Sequence, residues 1–546
     1  MKKIFFSLVI LTSMFLQVNA TGLVTNTNQS ASFTRLQNRN ASTGIDAVYY
    51  NPAGVTKLGN GFFASLNNQT ISQTKTVLVS DYLLFGNKPK EYVGDVSAPL
   101  YPGVYAAFNT GKLSISVGFN PIGGGGGAKY KTGLPSFEMP ISAIPALLNA
   151  NGITTSGYKA DIYFEGSSIY FGYQLNVAYK INEQLSVGAG VRMVTAKNTY
   201  EGYIKNIKIN PNQQAFNPKY NGTDFYLAKD FFTDGSTFLT GLSTTAPSAA
   251  AGLQTAAEAG HFGAGGLATP WNMLPVSVRG DVEALLGAAK ISTDGLTLGD
   301  VIGKLRDEAP GRLIAAAAEM TGSAAQAQDR LVEGVEQKGT GFSPILSVNY
   351  APSDMFNFSL RYEFKTNLKL KTTVPAGKGG GVFVDGDEVI ADMPALLAIG
   401  AQVRPLPMLS IAATFNTFFD KNVDYSNGKN IDMIKRNYIE YGLGVEYGIT
   451  EKLRASVGWL GTNTGILPEY QNDQRFSSNS NSFGIGAAYR INPMIDVNLG
   501  FQYSINADYK NACTFKPTAA TSLPYFETYG KKTMIFAIGV DLFFGK

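Results

Sequence analysis

The sequence contains almost none of the residues that most enzymes and metalloproteins use at their sites. It has one cysteine, Cys513, and one histidine, His261, in 546 residues. A lone cysteine excludes an intramolecular disulfide, and these two residues cannot form the His and Cys clusters that bind zinc. No Ser–His pair can be placed on a strand, because His261 lies in the glycine-rich sequence EAGHFGAGG. We therefore expect no enzymatic activity, no cofactor and no metal.

Charged residues are scarce as well, at 16% of the chain, and the formal net charge is only +4. This balance does not support a nucleic-acid partner. One long apolar run, Ile4–Phe15, follows Lys2 and Lys3 and precedes the small residues Val18–Ala20, which predicts a secretory signal peptide at Met1–Ala20. After it, no apolar run approaches the ~20 residues of a membrane helix. We expect an exported chain without membrane helices.

Glycine and aromatic residues are abundant instead, with 60 Gly, 28 Tyr and 34 Phe. This composition fits short aromatic strands better than helices. The clearest pattern is Ile169–Met193, where large apolar residues alternate with polar or small ones on both sides of the turn Ile181–Gln184. A period of two places the two sets on opposite faces. Each run has about the 9–11 residues that a tilted strand needs to cross a bilayer.

The same strand–turn–strand unit recurs along the chain. Tight turns are predicted near 109–112, 181–184, 351–354, 404–407, 449–452 and 492–494. Longer irregular segments are predicted at 73–99, 122–168, 206–340, 371–393, 421–436, 463–481 and 505–531. Short turns at one end and long loops at the other are typical of outer-membrane barrels.

Counting strands from about residue 61 to Phe544 predicts an all-β, antiparallel transmembrane barrel of about 14 strands in residues 60–546. The sheet must close, because an open edge would leave backbone groups unpaired in lipid. A soluble sandwich or a β-helix would also alternate. Its polar face, however, would carry more Lys and Glu, and its outer face would not be Phe, Tyr and Leu.

Residues 21–59 do not alternate and precede the first predicted strand. They are predicted to be either a disordered tail or a plug that folds into the lumen, which a barrel of this size would otherwise leave filled with water. Within them, Asn51-Pro52 favours a turn, because Pro fixes its own φ and restricts the residue before it. An ordinary loop turn would use the same two residues.

The stretch ASTGIDAVYYNPAGVTKL, with the triplet Asn51-Pro52-Ala53, resembles the FadL family of outer-membrane transporters for long-chain fatty acids and other hydrophobic molecules. YKINEQLSVGAGVRMVTAK at 179–197 and DMPALLAIGAQVRP at 392–405 are similar to strand units of the same family. The resemblance covers nearly the whole mature chain except 206–340. It implies that residues 21–59 are a hatch in the lumen and that Asn51, Pro52 and Ala53 form its latch.

Asn120-Pro121 followed by Gly123–Gly127 ends the third predicted strand. Proline cannot donate to a strand ladder, and consecutive glycines weaken pairing, so we expect the ladder to fail at Asn120, Pro121, Gly123 and Gly124. The family resemblance implies a lateral opening in this strand, through which a ligand leaves into the bilayer. A flexible loop root is the alternative.

Two loops are candidates for contact with ligand outside the barrel. The second loop carries a group of apolar residues that we expect to be exposed and to capture ligand: Met139, Ile141, Ile144, Leu147 and Leu148. The large insertion at 206–340 is rich in Ala and Gly, with predicted helices at 281–290, 298–308 and 311–337. We expect it to be a partly helical extracellular cap.

A carboxylate head group would need a cation in the lumen. The candidates are Arg192, Lys197, Lys205 and Arg361. Inward acids such as Glu363 can instead pair with the arginines. The arginine that contacts fatty acid in the FadL family falls on Gly202 in this sequence, which leaves recognition of a carboxylate open.

These features predict passive, ligand-gated uptake of hydrophobic molecules, such as long-chain fatty acids, across the outer membrane of a Gram-negative type bacterium, with lateral exit through the barrel wall. The expected partners are a hydrophobic small molecule and outer-membrane lipid, and the barrel is expected to be a monomer. A general porin-like channel and an adhesin built on the large loop are the alternatives. A receptor with a full plug domain would need about twenty-two strands.

Overall fold

The computed structural model describes residues 27–424 and 431–545. The predicted signal peptide, Met1–Ala20, and the first residues of the predicted hatch, 21–26, lie outside the described residues. Within that part of the chain, the sheet contains 18 strand segments. They are β1 (Gly61–Ser80), β2 (Lys90–Thr110), β3 (Leu113–Tyr130), β4 (Thr155–Lys180), β5 (Leu185–Pro211), β6 (Tyr226–Leu227), β7 (Arg330–Tyr350), β8 (Phe356–Glu363), β9 (Lys369–Thr373), β10 (Glu388–Ile390), β11 (Leu396–Leu406), β12 (Leu409–Phe418), β13 (Tyr438–Gly448), β14 (Leu453–Asn463), β15 (Ser480–Asn492), β16 (Ile495–Asn506), β17 (Tyr509–Thr518) and β18 (Thr521–Gly545).

These segments form a closed antiparallel barrel of 14 strands. Three pairs of segments continue one another along single interrupted strands, namely β8 with β9, β10 with β11, and β16 with β17. The short β6 only adds to the end of β5. The barrel closes because β1 pairs with both β2 and β18. The predicted fold class and strand number are confirmed.

The alternation along β4 shows why the sheet closes in a bilayer. Tyr173, Leu175, Val177 and Tyr179 face outward and are exposed by 43% to 48%. The residues between them, such as Gln174, are buried inside the barrel. An apolar outer belt with a polar interior is the pattern of a transmembrane barrel, and it agrees with the predicted location in the outer membrane.

All six predicted tight turns connect consecutive strands at one end of the barrel, where residues 61 and 545 also meet. Two of the predicted long loops are wrong. Residues 73–99 lie mostly in β1 and β2, and residues 505–531 lie mostly in the β17–β18 hairpin. The strands extend beyond the apolar belt here, and their outward residues become polar, so hydrophobic alternation no longer marks them.

Helices occur inside the barrel and beyond its long-loop end. They are α1 (Ala31–Arg35), α2 (Ala47–Tyr50), α3 (Pro135–Ala150), α4 (Ala228–Glu258), α5 (Val276–Ala288), α6 (Leu298–Gly303) and α7 (Ala309–Gln326). A short 3-10 helix, Pro52–Leu58, follows α2, and a π-helical turn, Lys304–Glu308, joins α6 to α7. Among the described residues, no helix is both long and apolar enough to span a membrane.

The predicted insertion at 206–340 is narrower in the structure, because β5 continues to Pro211 and β7 begins at Arg330. The three predicted helices correspond to α5, to α6 with its π turn, and to α7, although the last ends at Gln326 and not at 337. The longest helix, α4, was not predicted. Its Gly, Thr and Pro247 disfavour a helix, and packing of its buried Phe231 and Leu239 compensates for that cost.

Candidate functional site

Residues 27–59, hereafter the luminal segment, lie inside the barrel. Nearly every residue of the segment up to Val55 is buried. Its polar side chains bond to inward-facing wall residues on opposite sides of the lumen. Asn40 Nδ2 donates to Asn416 Oδ1 on β12 at 2.8 Å, and Asn28 Nδ2 donates to Gln69 Oε1 on β1 at 2.5 Å. The segment is thus fixed to the wall by hydrogen bonds and fills the lumen.

The Asn51-Pro52-Ala53 turn begins the short 3-10 helix of the segment. Asn51 is its N-cap, and its Oδ1 accepts from the backbone N–H of Gly54 at 3.3 Å. Pro52 occupies the first helical position. A backbone N–H there would have no partner within the helix, so proline, which lacks this N–H, costs no hydrogen bond. A Cβ on Gly54 would lie 2.2 Å from Asn51 Nδ2, so the turn also requires glycine at this position. The sequence therefore dictates the turn locally.

The wall holds the same turn through two inward-facing residues of β7. Asn51 Nδ2 donates to Asn349 Oδ1 at 2.7 Å and to the carbonyl of Ser42 at 3.0 Å. The backbone N–H of Ala53 donates to Ser347 Oγ at 3.0 Å. Asn51 is fully buried and out of reach of water. These hydrogen bonds therefore supply the partners that its polar groups need. The turn is the point where the luminal segment and β7 share hydrogen bonds.

Tyr49, two residues before this turn, lies between two buried arginines. Its ring centroid is 4.8 Å from the guanidinium carbon of Arg192 and 4.7 Å from that of Arg361. Arg361 Nη1 also donates to the Tyr49 carbonyl, and Arg192 forms an ion pair with Glu363. A cation–π contact is stronger when it is buried away from water than when it is exposed. This arrangement attaches α2 to β5 and β8.

Charges within the luminal segment are also paired. Arg39 donates to both carboxylate oxygens of Asp46, at 2.8 Å each. Burial alone would raise the pKa of Asp46, but the charge of Arg39 and these hydrogen bonds outweigh it and lower the pKa. Arg35 forms an ion pair with Glu446 on β13. Charge pairing of this kind leaves little net charge in the interior.

An apolar layer lies where the segment meets the middle of the wall. The segment contributes Phe33, Tyr49 and Tyr50, and the wall contributes a set of inward-facing residues, Ile122, Tyr170, Val194, Leu368, Leu370 and Met393. Leu368 lies in the break between β8 and β9, and Met393 lies in the break between β10 and β11. At these breaks the wall places apolar side chains in a lumen that is otherwise polar.

The wall is incomplete between β2 and β3. The two strands pair from Val104 with Phe119 toward the short-turn end, and again from Val96 with Ala128, but not between these points. Both unpaired stretches contain residues that weaken strand pairing, namely Pro99 and Pro102 on β2 and Pro121 with Gly123–Gly127 on β3. The Tyr101 hydroxyl donates to the Pro121 carbonyl at 2.6 Å across the gap.

On its other side, β3 stays paired with β4, and its register shifts at Pro121 and Gly123. The strand therefore does not end at this point, as the sequence suggested, but continues to Tyr130. Gly124 has a φ of 99°, and a Cβ there would lie 2.2 Å from the Ser168 carbonyl oxygen. The glycines thus allow β3 to bend close to β4 and away from β2.

The luminal segment touches the margin of this gap. Asn120 Nδ2 donates to Gln29 Oε1, and the Tyr105 hydroxyl donates to the Gln29 carbonyl at 2.7 Å. Asn120 lies on β3 and Tyr105 lies on β2, so Gln29 bonds to both edges of the gap. Any displacement of the segment would break contacts on both sides of the opening.

A known structure has the same architecture. A Pseudomonas aeruginosa FadL homologue matches with a TM-score of 0.55 at 12% sequence identity, over 96% of this chain and 100% of the other. The chain has the fold of a FadL-type barrel. Weaker matches are the Pseudomonas putida toluene transporter TodX, with a TM-score of 0.48, 12% identity and 95% and 99% coverage, and the Ralstonia pickettii toluene transporter TbuX, with 0.44, 15%, 92% and 94%. No protein-family model and no curated protein sequence matches the chain.

In this FadL-type barrel, the apolar residues expected to capture ligand are not exposed. Met139, Ile141, Ile144 and Leu148 are each exposed by 6% or less, and Leu147 is partly buried. They lie on α3, which packs between the barrel rim and the helical insertion, so its apolar side chains contact other protein atoms. Ile141 lines a cavity of about 100 Å³, which is bounded by α3, β4, β5 and the 380–383 loop.

The four head-group candidates of the FadL-type barrel are already engaged. Arg192 is paired with Glu363, and Arg361 is bonded to Tyr49. Lys197 forms an ion pair with Glu336, and the Lys205 ammonium lies over the ring of Tyr203. The structure therefore does not bring these four cations together at one site.

Several residues of the site were missed from the sequence, among them Gln29, Pro99, Pro102 and Tyr49. Pro99 and Pro102 form the second edge of the gap, and the dense proline in SAPLYPG was a usable signal for it. Tyr49 carries no such signal, because its arginines come from distant strands. Among the described residues, no group of three or more His, Cys, Asp or Glu side chains could hold a metal.

Proposed function

We propose that the protein mediates passive, ligand-gated uptake of hydrophobic molecules, such as long-chain fatty acids, across the outer membrane, with lateral exit through the gap between β2 and β3. The observation that carries the proposal is the contact of Gln29 with both edges of the gap. Gln29 thereby connects the luminal segment, which closes the lumen, to the gap between β2 and β3, which interrupts the wall. The likeness of the barrel to a FadL homologue supports the same function.

The lateral route follows from the energetics of an apolar ligand. Returning each CH₂ group to water costs about 0.8 kcal/mol, so a ligand that left the barrel through an aqueous pore would lose the benefit of being bound. At the gap, Leu100 is 75% exposed on the outer surface, and Val104 at its margin is 39% exposed. The opening therefore leads into an apolar environment. Asn120, Pro121, Gly123 and Gly124 form its β3 margin.

Gating would come from the luminal segment. Asn51, Pro52 and Ala53 act as the latch in this proposal, since they hold the segment to β7 through Asn349 and Ser347. Ligand that enters the apolar layer would compete with Tyr49 and its neighbours for contact with the wall. Displacement of the segment would then release Gln29 from the gap.

The external capture step would use the apolar cavity beneath α3. Ile141 and Phe137 line it from the helix, and Tyr163 and Phe164 line it from β4. The buried residues Met139, Ile144, Leu147 and Leu148 would keep α3 in place above it. The cavity gives a hydrophobic molecule apolar surface outside the lumen without exposing that surface in the empty protein.

Uptake can be tested in a Gram-negative host that lacks its own transporter for the compound. The protein should accelerate uptake of labelled oleate or toluene, and it should not accelerate uptake of a small sugar. In planar bilayers the intact protein should conduct few ions, because the luminal segment fills the barrel. Sugar uptake together with a large stable conductance would instead show a general porin.

A further inference from the structure

Three exposed lysines, hereafter the lysine row, lie side by side on the outer face of the barrel. Lys197 of β5 is opposite Lys338 of β7, and Lys338 is opposite Lys371 of β9. The adjacent residues Gln337 and Leu370 are buried on the luminal side, which places the lysines on the outside. Like charges directly opposite each other on neighbouring strands destabilise a sheet. The lysine row therefore costs stability unless negative charge compensates it.

Two glutamates compensate only part of this charge. Glu336 forms ion pairs with the first two lysines of the row. Glu388 of β10 is opposite Lys371 in register, but its carboxylate pairs with Lys369 at 2.7 Å. In the described part of the chain, no carboxylate lies within 4.0 Å of the Lys371 ammonium group. Four lysines thus share two carboxylates, and four positive charges against two negative ones leave a net charge of +2.

The lysine row lies just beyond the apolar belt. Along β7, the large outward residues run from Tyr350 at the short-turn end to Phe342, and Thr340 and Lys338 follow. Four residues of a tilted strand add about 10 Å along the barrel axis, which brings Lys338 from the edge of the belt to the level of the lipid head groups. Because the long loops of outer-membrane barrels are extracellular, these head groups belong to the outer leaflet.

Other parts of the wall do not carry this charge beyond the belt. On β1, the outward residues that follow Leu66 are neutral, namely Asn68, Thr70, Ser72 and Thr74. Near the gap, outward charges alternate in sign. Asp95 of β2 is opposite Lys129 of β3, and Lys129 forms an ion pair at 3.0 Å with Glu165 of β4. The excess of positive charge is therefore a local property of β5, β7 and β9, and not a general requirement of the wall.

We propose that the lysine row binds the phosphate group of an anionic lipid in the outer leaflet of the membrane. Neighbouring strands are about 4.8 Å apart, so adjacent ammonium groups of the row can donate to one phosphate. The acyl chains of the lipid lie against the outward apolar residues below, among them Phe342 and Leu346. A free phosphate ion would satisfy the same donors but would make no use of this apolar surface. The inference concerns the outer face of the barrel and does not rest on the proposed uptake function.

Binding can be measured by native mass spectrometry of the full-length protein in dodecyl maltoside, with dioctanoyl phosphatidic acid, dioctanoyl phosphatidylcholine and inorganic phosphate as probes. Phosphatidic acid should bind most tightly. K338Q and K371Q should each weaken its binding roughly fivefold, as expected for one lysine next to an anionic lipid, and should leave phosphatidylcholine binding unchanged. Lys532 is also exposed on the outer face but is opposite the neutral Thr74, so K532Q is the matched control and should behave as the wild type.

Equal binding of phosphatidic acid and phosphatidylcholine, or unchanged phosphatidic acid binding in K338Q or K371Q, would overturn the inference. Inorganic phosphate bound as tightly as phosphatidic acid would assign the row to a free anion and would overturn it too. An equal loss of binding in K532Q would assign the effect to the overall charge of the barrel, with the same consequence. K338R retains the charge and should bind like the wild type. Heat-modifiable electrophoretic mobility shows whether each variant is folded, and relief of the like-charge contacts should keep the glutamine variants stable.

Discussion

Two seams of the barrel, meaning the contacts between neighbouring strands β1 and β18 and between β2 and β3, differ in how completely their residues are paired. Along β1 and β18, all 20 residues of β1 have a partner, from Gly61 with Gly545 to Ser80 with Phe526. Along β2 and β3, pairing stops between Val96 and Val104 and resumes beyond. Proline occurs on both sides of the interrupted seam, whereas β1 contains none. An interruption in the wall of a membrane barrel can therefore be encoded by a few residues on two neighbouring strands.

The two seams also differ in what lies behind them. Behind the gap, Gln29 of the luminal segment bonds to both edges. Behind the closed seam, Lys75 and Lys531 face the lumen with no acid partner in the described part of the chain. The first arrangement suits a gate, whereas the second places two like charges opposite each other.

The largest effect on the barrel, measured as ion conductance, is expected from deleting residues 21–59. Without the segment, neither seam has support from inside, and a 14-strand barrel encloses a water-filled channel. The barrel should still assemble, because its strands pair with one another, and it should conduct ions in planar bilayers. An unchanged conductance would show that the segment does not block the lumen.

A smaller effect is expected from Gly124→Val, which should narrow the gap. A side chain at 124 collides with the Ser168 carbonyl on β4, so β3 must move away from β4 and toward β2. Uptake of oleate or toluene should fall while the barrel remains heat-modifiable. Gly86→Val is the control, since Gly86 also has a positive φ, 68°, but a Cβ added there would have no other atom within 4 Å. Normal uptake in Gly124→Val would argue against the lateral exit.

Substitutions in the latch, Asn51-Pro52-Ala53, should loosen the luminal segment and leave the pairing of β1 with β18 intact. Asn51→Ala removes hydrogen bonds to Asn349 and Ser42, each worth about 1 kcal/mol, and Pro52→Ala releases a fixed φ at a cost of about 0.4–1 kcal/mol. Uptake should fall or lose its gating, as seen by comparing uptake with ion conductance. Asn182→Ala, in an exposed turn, is the control. Wild-type behaviour in both latch variants would show that the turn is only structural.

The smallest effect is expected from Tyr49→Leu, which removes the ring between Arg192 and Arg361. Cation–π contacts contribute about 0.5–2 kcal/mol each, so the luminal segment should become easier to displace while the wall is unaffected. Brief opening events in single-channel recordings should become more frequent. Tyr49→Phe retains the ring and should remain close to the wild type. Equal opening in both variants would assign the effect to the hydroxyl.

Much of the fold was predictable because it depends on local patterns. Alternation of apolar and polar residues, as in 169–193, predicted the strands, their number and the short-turn end, and all are confirmed. The two misplaced loops and the missed helix α4 share a cause. In each, tertiary packing or pairing above the apolar belt stabilises an element whose own sequence shows no periodic hydrophobicity.

The site was less predictable. Weak pairing at Pro121 and the glycines of β3 was visible in the sequence, and the structure places an unpaired stretch there, although the strand itself continues. The roles of Asn51, Pro52 and Ala53 as a latch stay a prediction. The exposure expected for Met139 and Ile144 was wrong, because Ile144 packs against the helical insertion and Met139 packs against the extended ends of β1, β2 and β18.

The sequence by itself determined that this chain crosses a membrane as a closed sheet, because strand period, turn position and proline placement are properties of neighbouring residues. Only the tertiary structure decided which side chains contact each other inside the barrel. Tyr49 meets its arginines, and Lys75 meets Lys531, because closure of the barrel brings strands that are distant in sequence into register. Such contacts depend on the relative position of whole strands, which no local pattern encodes.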